Sequence, residues 1–553
     1  MRAVLGRAVG VRATAAGSGG SRAGRAIGTL GDARARSAAW RPHRLGRLPA
    51  TAEHDGAVKS VGQGRRHFAR SVVDDDEPTY ASGDLAGYEV FHHDWPFALA
   101  TGAVLPEMKI AYETWGELSA KKDNVILLQT GMSASSHASS NAGNRANGWW
   151  EDFIGPGKTL DTRIFFVICT NNLGGCYGST GPSSLHPDGK PYGSRFPRFE
   201  VYDQVAAQFK LLDYLGINKV HAAVGASLGG MQSTCAASRF PDRVGKFVTI
   251  SACAKSFPGS MAFRHAQRSA IMTDPHWNNG DYYDGALPEN GLRLAREIGT
   301  ITYRSGKEWQ DRFGQGRLSE DRNGLQHEFQ IEKYLSHQGK KWVNNYDPNS
   351  MLWISKAMDG FTLELPDKHG KPCLKAGLAA AMQPALVIGV QHDVLFPVWQ
   401  QKEIADSLRA AGNKSVVYYE LDSTYGHDTF LLNQITIGPA VKGHLEQEPG
   451  GAQHLWEEKA ATFHDILQGV GELTSVPDMM RCIFRALAKG SDTVPQHELL
   501  YATRLFLAAD GLHDQRIDGI FKQKFRSQKQ VSMKEFLEIR EDLTSGAPET
   551  YLP

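Results

Sequence analysis

Three apolar runs in this chain break off in the same way, and that shared ending restricts the fold more than any other feature. "NVILLQTGMS", "RIFFVICTNNLGG" and "KVHAAVGASLGG" each carry a short apolar run into a turn of Gly, Ser or Asn. Such a run, bounded by a turn, reads as a strand buried on both faces. "KFVTISACA" is a further strand, and "EMKIAYETWGEL" an alternating one ahead of them. Between the runs, "VYDQVAAQFKLLDYLGI" spaces its apolar residues at helical intervals. Strands that alternate with helices predict a mostly parallel sheet with helices on both faces, an α/β class. From about Lys255 to Lys375 the rhythm gives way to aromatics, charges and glycines, which reads as a helical cap. The strand pattern returns with "PALVIGVQHDVLFP" and "SVVYYELDSTYGHDTFLL". The expected organisation is a sheet core over 80–254 and 379–470, a lid over 255–378, and a separate helical segment over 479–545.

A chain of 553 residues has room for more than one compact region. Its formal net charge of +1 supplies no global field for nucleic acid or a membrane surface. No apolar run approaches the roughly 18 residues of a membrane span. The six cysteines are scattered, with neither C-x-x-C nor zinc-finger spacing, so reduced, mostly buried thiols are expected rather than a metal site or a disulfide framework. The charge is unevenly spread. The first fifty residues hold ten arginines, no lysine and one acid, Asp32. Arg-rich, acid-poor composition is that of an organellar transit peptide. "RRHFARSVVDDDE" resembles a mitochondrial processing region, so residues 1–70 are expected to direct mitochondrial import, with plastid or cytoplasmic location as alternatives.

Within "HAAVGASLGGMQ", Gly225-Ala226-Ser227-Leu228-Gly229 fits G-x-S-x-G where a strand meets a helix. That is the setting of a nucleophile elbow, which needs small residues on either side of the turn. Alone the motif is weak. Two later features strengthen it: Asp393 stands just past one strand and His427 in the loop past another. The chain order Ser…Asp…His is that of the α/β-hydrolase fold. The expected roles are nucleophile for Ser227, base for His427, and orienting carboxylate for Asp393. His392 and Asp428 are adjacent competitors and rank lower. The N–H of Leu228 is the expected first oxyanion donor. The second comes from the loop "LLQTGMS", from Gln129 or from Met132.

These residues, with "GWWEDFIGPGKTLDT", "FFVICTNNLGGCYGSTGPSSLHPDGKPYGSRFP", "ASLGGMQ" and "YGHDTFLL", resemble the homoserine O-acetyltransferase family and its serine O-acyltransferase relatives over roughly Tyr88 to Gln468. The resemblance implies Ser227, Asp393 and His427 as the triad, an acyl-CoA donor as co-substrate without a further cofactor, and L-serine or L-homoserine as acceptor. It also implies Arg268 and Asp428 as substrate-binding residues, a tunnel built by the helical cap, and a homodimer. The chain has Leu228 where the homoserine branch usually has Met, and Arg264-His265 where that branch has Asn-Glu. It looks closer to the fungal-type serine O-acyltransferases that serve cysteine synthesis. Acetyl and succinyl donors both stay open. A succinyl group would bring an extra carboxylate, for which Arg264 offers a cation.

"IFRALAKGSDTVPQHELLYATRLF" and "IFKQKFRSQKQVSMKEFLEI" resemble the two halves of an EF-hand pair, with Val494 and Val531 at their centres and Glu498 and Glu535 closing them. Counting back from those glutamates puts Leu487, Lys489 and Ser491, and Lys524, Arg526 and Gln528, where calcium would need oxygen ligands. A degenerate pair that binds no metal is expected, serving to pack or to dock a protein partner.

Overall fold

The computed structural model describes residues 87–318 and 329–446 and, nearer the C-terminus, parts of 476–539. The arginine-rich segment 1–70 lies outside the described residues, as do Lys489, Glu498, Arg526 and Gln528.

Eight strands form the main sheet: β1 Glu89–His93, β2 Met108–Trp115, β3 Val125–Gln129, β4 Phe166–Thr170, β5 Val220–Ala226, β6 Val244–Ile250, β7 Ala385–Val390 and β8 Val416–Leu421. Their order across the sheet is β1-β2-β4-β3-β5-β6-β7-β8. The pairs β1–β2 and β2–β4 are antiparallel and every later pair is parallel. In β3, Val125 and Leu127 enter the apolar layer shared with α1 Val201–Tyr214 and α2 Leu228–Arg239. Ile126 and Leu128 point the other way, into a layer with Trp150, Phe153 and Ile437. A strand's period of two, with both faces covered, is why these runs are continuously apolar. β2 differs from its expected alternation: Ile110 to Glu113 are all buried, because β1 and β4 flank it and both faces are covered.

Between β6 and β7 the chain leaves the sheet, and the longer helices described there are α3 Pro258–Met272, α4 Glu289–Tyr303, α5 Gly306–Phe313, α6 Gln330–Trp342 and α7 Pro348–Asp359. Their starts follow local chemistry. Ser305 caps α5 by accepting the Glu308 N–H, and Asp347 caps α7 by accepting the Ser350 N–H. The chain then returns through β7, α8 Val398–Ala411, β8 and α9 Gln434–Glu446. Cys169, Cys176, Cys235 and Cys253 are buried thiols outside any disulfide, and burial pushes those of Cys235 and Cys253 up to about 12.

The C-terminal segment has its own small core of Ile483, Phe484, Phe521, Val531 and Phe536. It holds α10 Val476–Ala488, β9 Thr493–Pro495, β10 Gln530–Ser532 and α11 Met533–Glu538. β9 and β10 pair antiparallel with Val494 opposite Val531. Glu535 accepts from the Ser532 N–H at 2.8 Å and from its hydroxyl at 2.6 Å, closing a capping box on α11.

Candidate active site

Ser227 sits between β5 and α2 with φ 57° and ψ −122°. A non-glycine residue in that region costs about 1–3 kcal/mol and persists only where its surroundings hold it. Here they do. The Ser227 N–H donates to the Ile250 carbonyl at 2.9 Å, and the Ser227 carbonyl accepts from the Met231 N–H at 3.1 Å. The flanking glycines permit the turn by close approach. A Cβ on Gly225 would lie 2.2 Å from the Gly229 carbonyl, and one on Gly229 would lie 2.0 Å from the Gln129 carbonyl oxygen. The strand-to-helix crossing thus closes only with no side chain at either position.

Asp393 follows β7, and His427 lies in a helical turn after β8. One Asp393 oxygen accepts the N–H groups of Leu395 and Phe396 at 2.8 and 2.7 Å. The other stands 2.7 Å from His427 Nδ1, and His427 Nε2 stands 2.9 Å from Ser227 Oγ. An ionised carboxylate can only accept, so Nδ1 carries the hydrogen and Nε2 is left to take the serine proton. Phe396 stacks on the imidazole at 5.2 Å and Phe430 meets it edge-on at 5.7 Å. Burial alone pushes His427 down, but the charge and hydrogen bond of Asp393, with Asp428 adding, hold it above its ordinary value. His392 faces Asp422 at 3.1 Å and is half-exposed, so the line of hydrogen bonds runs through His427 instead.

Ser227 and His427 open onto a cavity of about 370 Å³, whose walls include Met132, Trp149, Arg264, Tyr303 and Asp428. A larger cleft of about 640 Å³ near Glu107, Lys109 and His186 contains none of these groups. The loop 131–149 forms one wall and is folded around two carboxylates. Glu113 accepts from the Ser136 hydroxyl at 3.1 Å and the Asn141 amide at 2.6 Å, and pairs with His137 Nδ1 at 2.9 Å. His137 Nε2 meets the Ala146 carbonyl at 2.9 Å. Both imidazole nitrogens therefore face acceptors, which calls for the doubly protonated ring. Burial pushes His137 down, but Glu113 outweighs it and the pKa is raised. Glu151 gathers the other end of the loop through the Ser140 and Gly148 N–H groups at 2.7 and 3.0 Å.

The remaining sequence-predicted residues divide. Leu228 opens α2, so its N–H has no carbonyl within the helix to bond. Gln129 ends β3, paired with Thr170 and Gly225 at the end of the sheet, its side chain donating to Gln208 at 2.7 Å. Met132, the alternative, does line the cavity. Arg268 is buried on the same helix as Arg264, its guanidinium donating to Asp359 at 2.6 Å and Ser355 at 3.2 Å, and Arg264 lines the cavity. Asp428 lines the cavity with a carboxylate oxygen 3.2 Å from Arg304 Nε.

Arg296, Arg304 and Trp342 belong to the site without having been singled out. The Arg296 guanidinium lies 4.3 Å from the centre of the Trp342 ring. A helical arginine and tryptophan in a charged insertion read as surface residues, and no local pattern marks them otherwise. Only the folding of α4 and α6 over the sheet brings them to the nucleophile.

Residues 124–434 match the family described as the alpha/beta hydrolase fold. The chain is 48% identical over 439 residues to a protein of Emericella nidulans named serine O-succinyltransferase, covering 68% of this chain and 84% of that one. Among solved structures it is similar to a homoserine O-acetyltransferase from Bacillus anthracis, with TM-score 0.61 and 26% identity over 66% of this chain and 99% of the other. Esterase E22 superposes as well, with TM-score 0.59 and 29% identity over 65% of this chain and the whole of the other.

Proposed function

Since the chain belongs to the α/β-hydrolase fold family and is an O-acyltransferase within it, we propose that it moves a succinyl group from succinyl-CoA to the hydroxyl of L-serine. The product would feed a step that replaces the acyloxy group with sulfur, which is cysteine synthesis. L-homoserine is the alternative acceptor and acetyl-CoA the alternative donor. One methylene distinguishes the two acceptors, worth only about 1–3 kcal/mol in a fitted pocket.

Two steps follow from the geometry. His427 Nε2 takes the Ser227 proton while Oγ attacks the thioester carbonyl. Negative charge on the carbonyl oxygen is received by the N–H of Leu228 and by that of Met132 or Gln129. The C–S bond breaks, and the departing thiolate takes the proton from His427. His427 then removes the acceptor's hydroxyl proton, the new oxygen attacks the acyl-enzyme, and the proton returns to Ser227 as the ester bond breaks.

The observation that carries this reading is the ion pair of Arg304 and Asp428 on the cavity wall, one residue from the base. An amino-acid acceptor brings an ammonium and a carboxylate a few ångströms apart, and adjacent opposite charges suit it. A simple ester needs neither charge. The likeness to an esterase gives hydrolysis standing as a second reading. Steady-state release of coenzyme A thiol from succinyl-CoA or acetyl-CoA, with and without each amino acid, separates them. Transfer requires release that depends on the acceptor and disappears in Ser227→Ala. Release without an acceptor would establish the hydrolase. The mitochondrial location is supported by the arginine-rich composition of residues 1–70, and fusing them to a fluorescent protein tests it.

A further inference from the structure

Arg264 stands on the cavity wall opposite in character to the one that holds Asp428. It is 3% exposed, on α3, and lines the same cavity as Ser227 and His427. Its Nε donates to Asp359 at 2.7 Å and Nη2 reaches the Ser256 hydroxyl at 3.4 Å, while Nη1 is buried without a hydrogen-bond partner among the described residues. Arg268 binds the other oxygen of the same Asp359 at 2.6 Å. Two buried guanidiniums thus share one carboxylate, and one positive charge on this wall is left over. An unpartnered buried donor on a residue that lines the cavity, beside a surplus positive charge, calls for an anion.

The Asp428 side of the cavity carries no such surplus. Arg304 is held by Glu308 at 2.8 Å and by Asp428 at 3.2 Å, and Arg312 shares Glu308 at 3.1 Å, so two guanidiniums meet two carboxylates. Asp428, on the cavity lining, offers the acceptor's ammonium a carboxylate. In an α-amino acid the ammonium and carboxylate share one carbon, so an acceptor docked by its ammonium at Asp428 keeps its carboxylate nearby, beside Arg304. The distal carboxylate of a dicarboxylic acyl group lies several bonds from the reacting carbonyl and can reach a different wall.

We infer that Arg264, aligned by Asp359, is the seat for the distal carboxylate of a succinyl donor and sets the donor class of the enzyme. The inference rests on the transferase reading above and names the residue that distinguishes succinyl from uncharged acyl groups. Arg264 touches the acyl group; Asp359 and Ser256 act only by holding the guanidinium in place.

The test compares succinyl-CoA with butyryl-CoA, which puts a methyl where the carboxylate would be. Acyl-enzyme formation is followed by intact-mass spectrometry and transfer to serine by thiol release, in the full chain and in Arg264→Ala and Arg264→Lys. The ratio of kcat/KM for succinyl over butyryl should fall about tenfold to a hundredfold in Arg264→Ala, the scale of a charge-assisted hydrogen bond. Lys, which keeps the charge and loses the planar fork, should fall in between. An unchanged ratio in both variants would overturn the seat. So would a rise in the KM for serine measured on the butyryl donor, since it would put the acceptor's carboxylate on Arg264. If the unaltered chain forms no acyl-enzyme from any acyl-CoA, the transferase reading falls first and the seat with it. Arg264→Lys guards against a folding failure of the alanine variant.

Discussion

Asp393 performs two tasks at the residue scale, and they are separable by pH. It fixes the hydrogen on His427 Nδ1, and its charge holds the imidazole pKa above the ordinary 6.5 against the downward push of burial. The base must be neutral to take the serine proton. Activity is therefore present above the pKa of His427 and is lost as pH falls through it. The acid limb of kcat/KM should sit above 6.5. Asp393→Asn removes the charge and leaves the burial, so the limb should move to lower pH while kcat falls about 10³–10⁴-fold. A pH–rate profile of both proteins decides this. A limb that stays in place while kcat collapses would mean that another group sets it.

At the element scale the loop 131–149 is the wall most dependent on buried charge. Glu113 and His137 are each only 2% exposed at the side chain, so solvent screens the pair little. The folded pKa of His137 is raised. The sign follows: the pair's contribution to stability is fully present below the unfolded histidine pKa and is lost as pH rises through the folded one. Glu113→Gln leaves a buried cation without its partner and should cost about 3–5 kcal/mol at mildly acidic pH. Urea unfolding at several pH values should show that deficit shrinking as pH rises. Because the same loop carries Met132, kcat should fall in this variant even where it is fully folded. A stable variant with unchanged kcat would show that the loop holds its shape without the pair.

The whole molecule joins a rigid sheet to a lid through a few specific contacts. The Tyr346 hydroxyl donates to the Met132 carbonyl at 2.7 Å, and the Ser305 hydroxyl donates to the Thr424 carbonyl. Gly426, next to His427, lies where a Cβ would be 2.8 Å from the Ser305 nitrogen, so the lid packs directly on the turn that carries the base. The C-terminal segment poses a different question. Glu535, which would close a calcium loop, is engaged by Ser532 as a helix cap, and Lys524 stands at the loop's first position. Calcium should therefore shift neither the melting temperature nor the activity, and chelation should not unfold the segment. A calcium-dependent rise in Tm in the full chain would overturn this.

How much of this was legible beforehand depends on how far apart the interacting residues lie along the chain. The continuous apolar runs of β3 to β7 determined a covered parallel sheet, because only such strands have both faces to bury. Gly225-Ala226-Ser227-Leu228-Gly229 announced the elbow, because its steric demand is met by neighbours in sequence. Asp393 and His427 were legible from their places after strands, since the sheet carries the ends of parallel strands to one edge. The partners of Gln129 and Arg268 were not legible, because a strand's end and the face of a helix are set by packing. A shift of a few residues decides whether a group lines a cavity or joins the sheet. The sharing of Asp359 by Arg264 and Arg268, Arg304 beside Asp428, and Arg296 on Trp342 were decided by the tertiary structure alone. Each depends on how the lid helices pack, and the surplus of charge on a wall exists only once partners distant in sequence have been brought together.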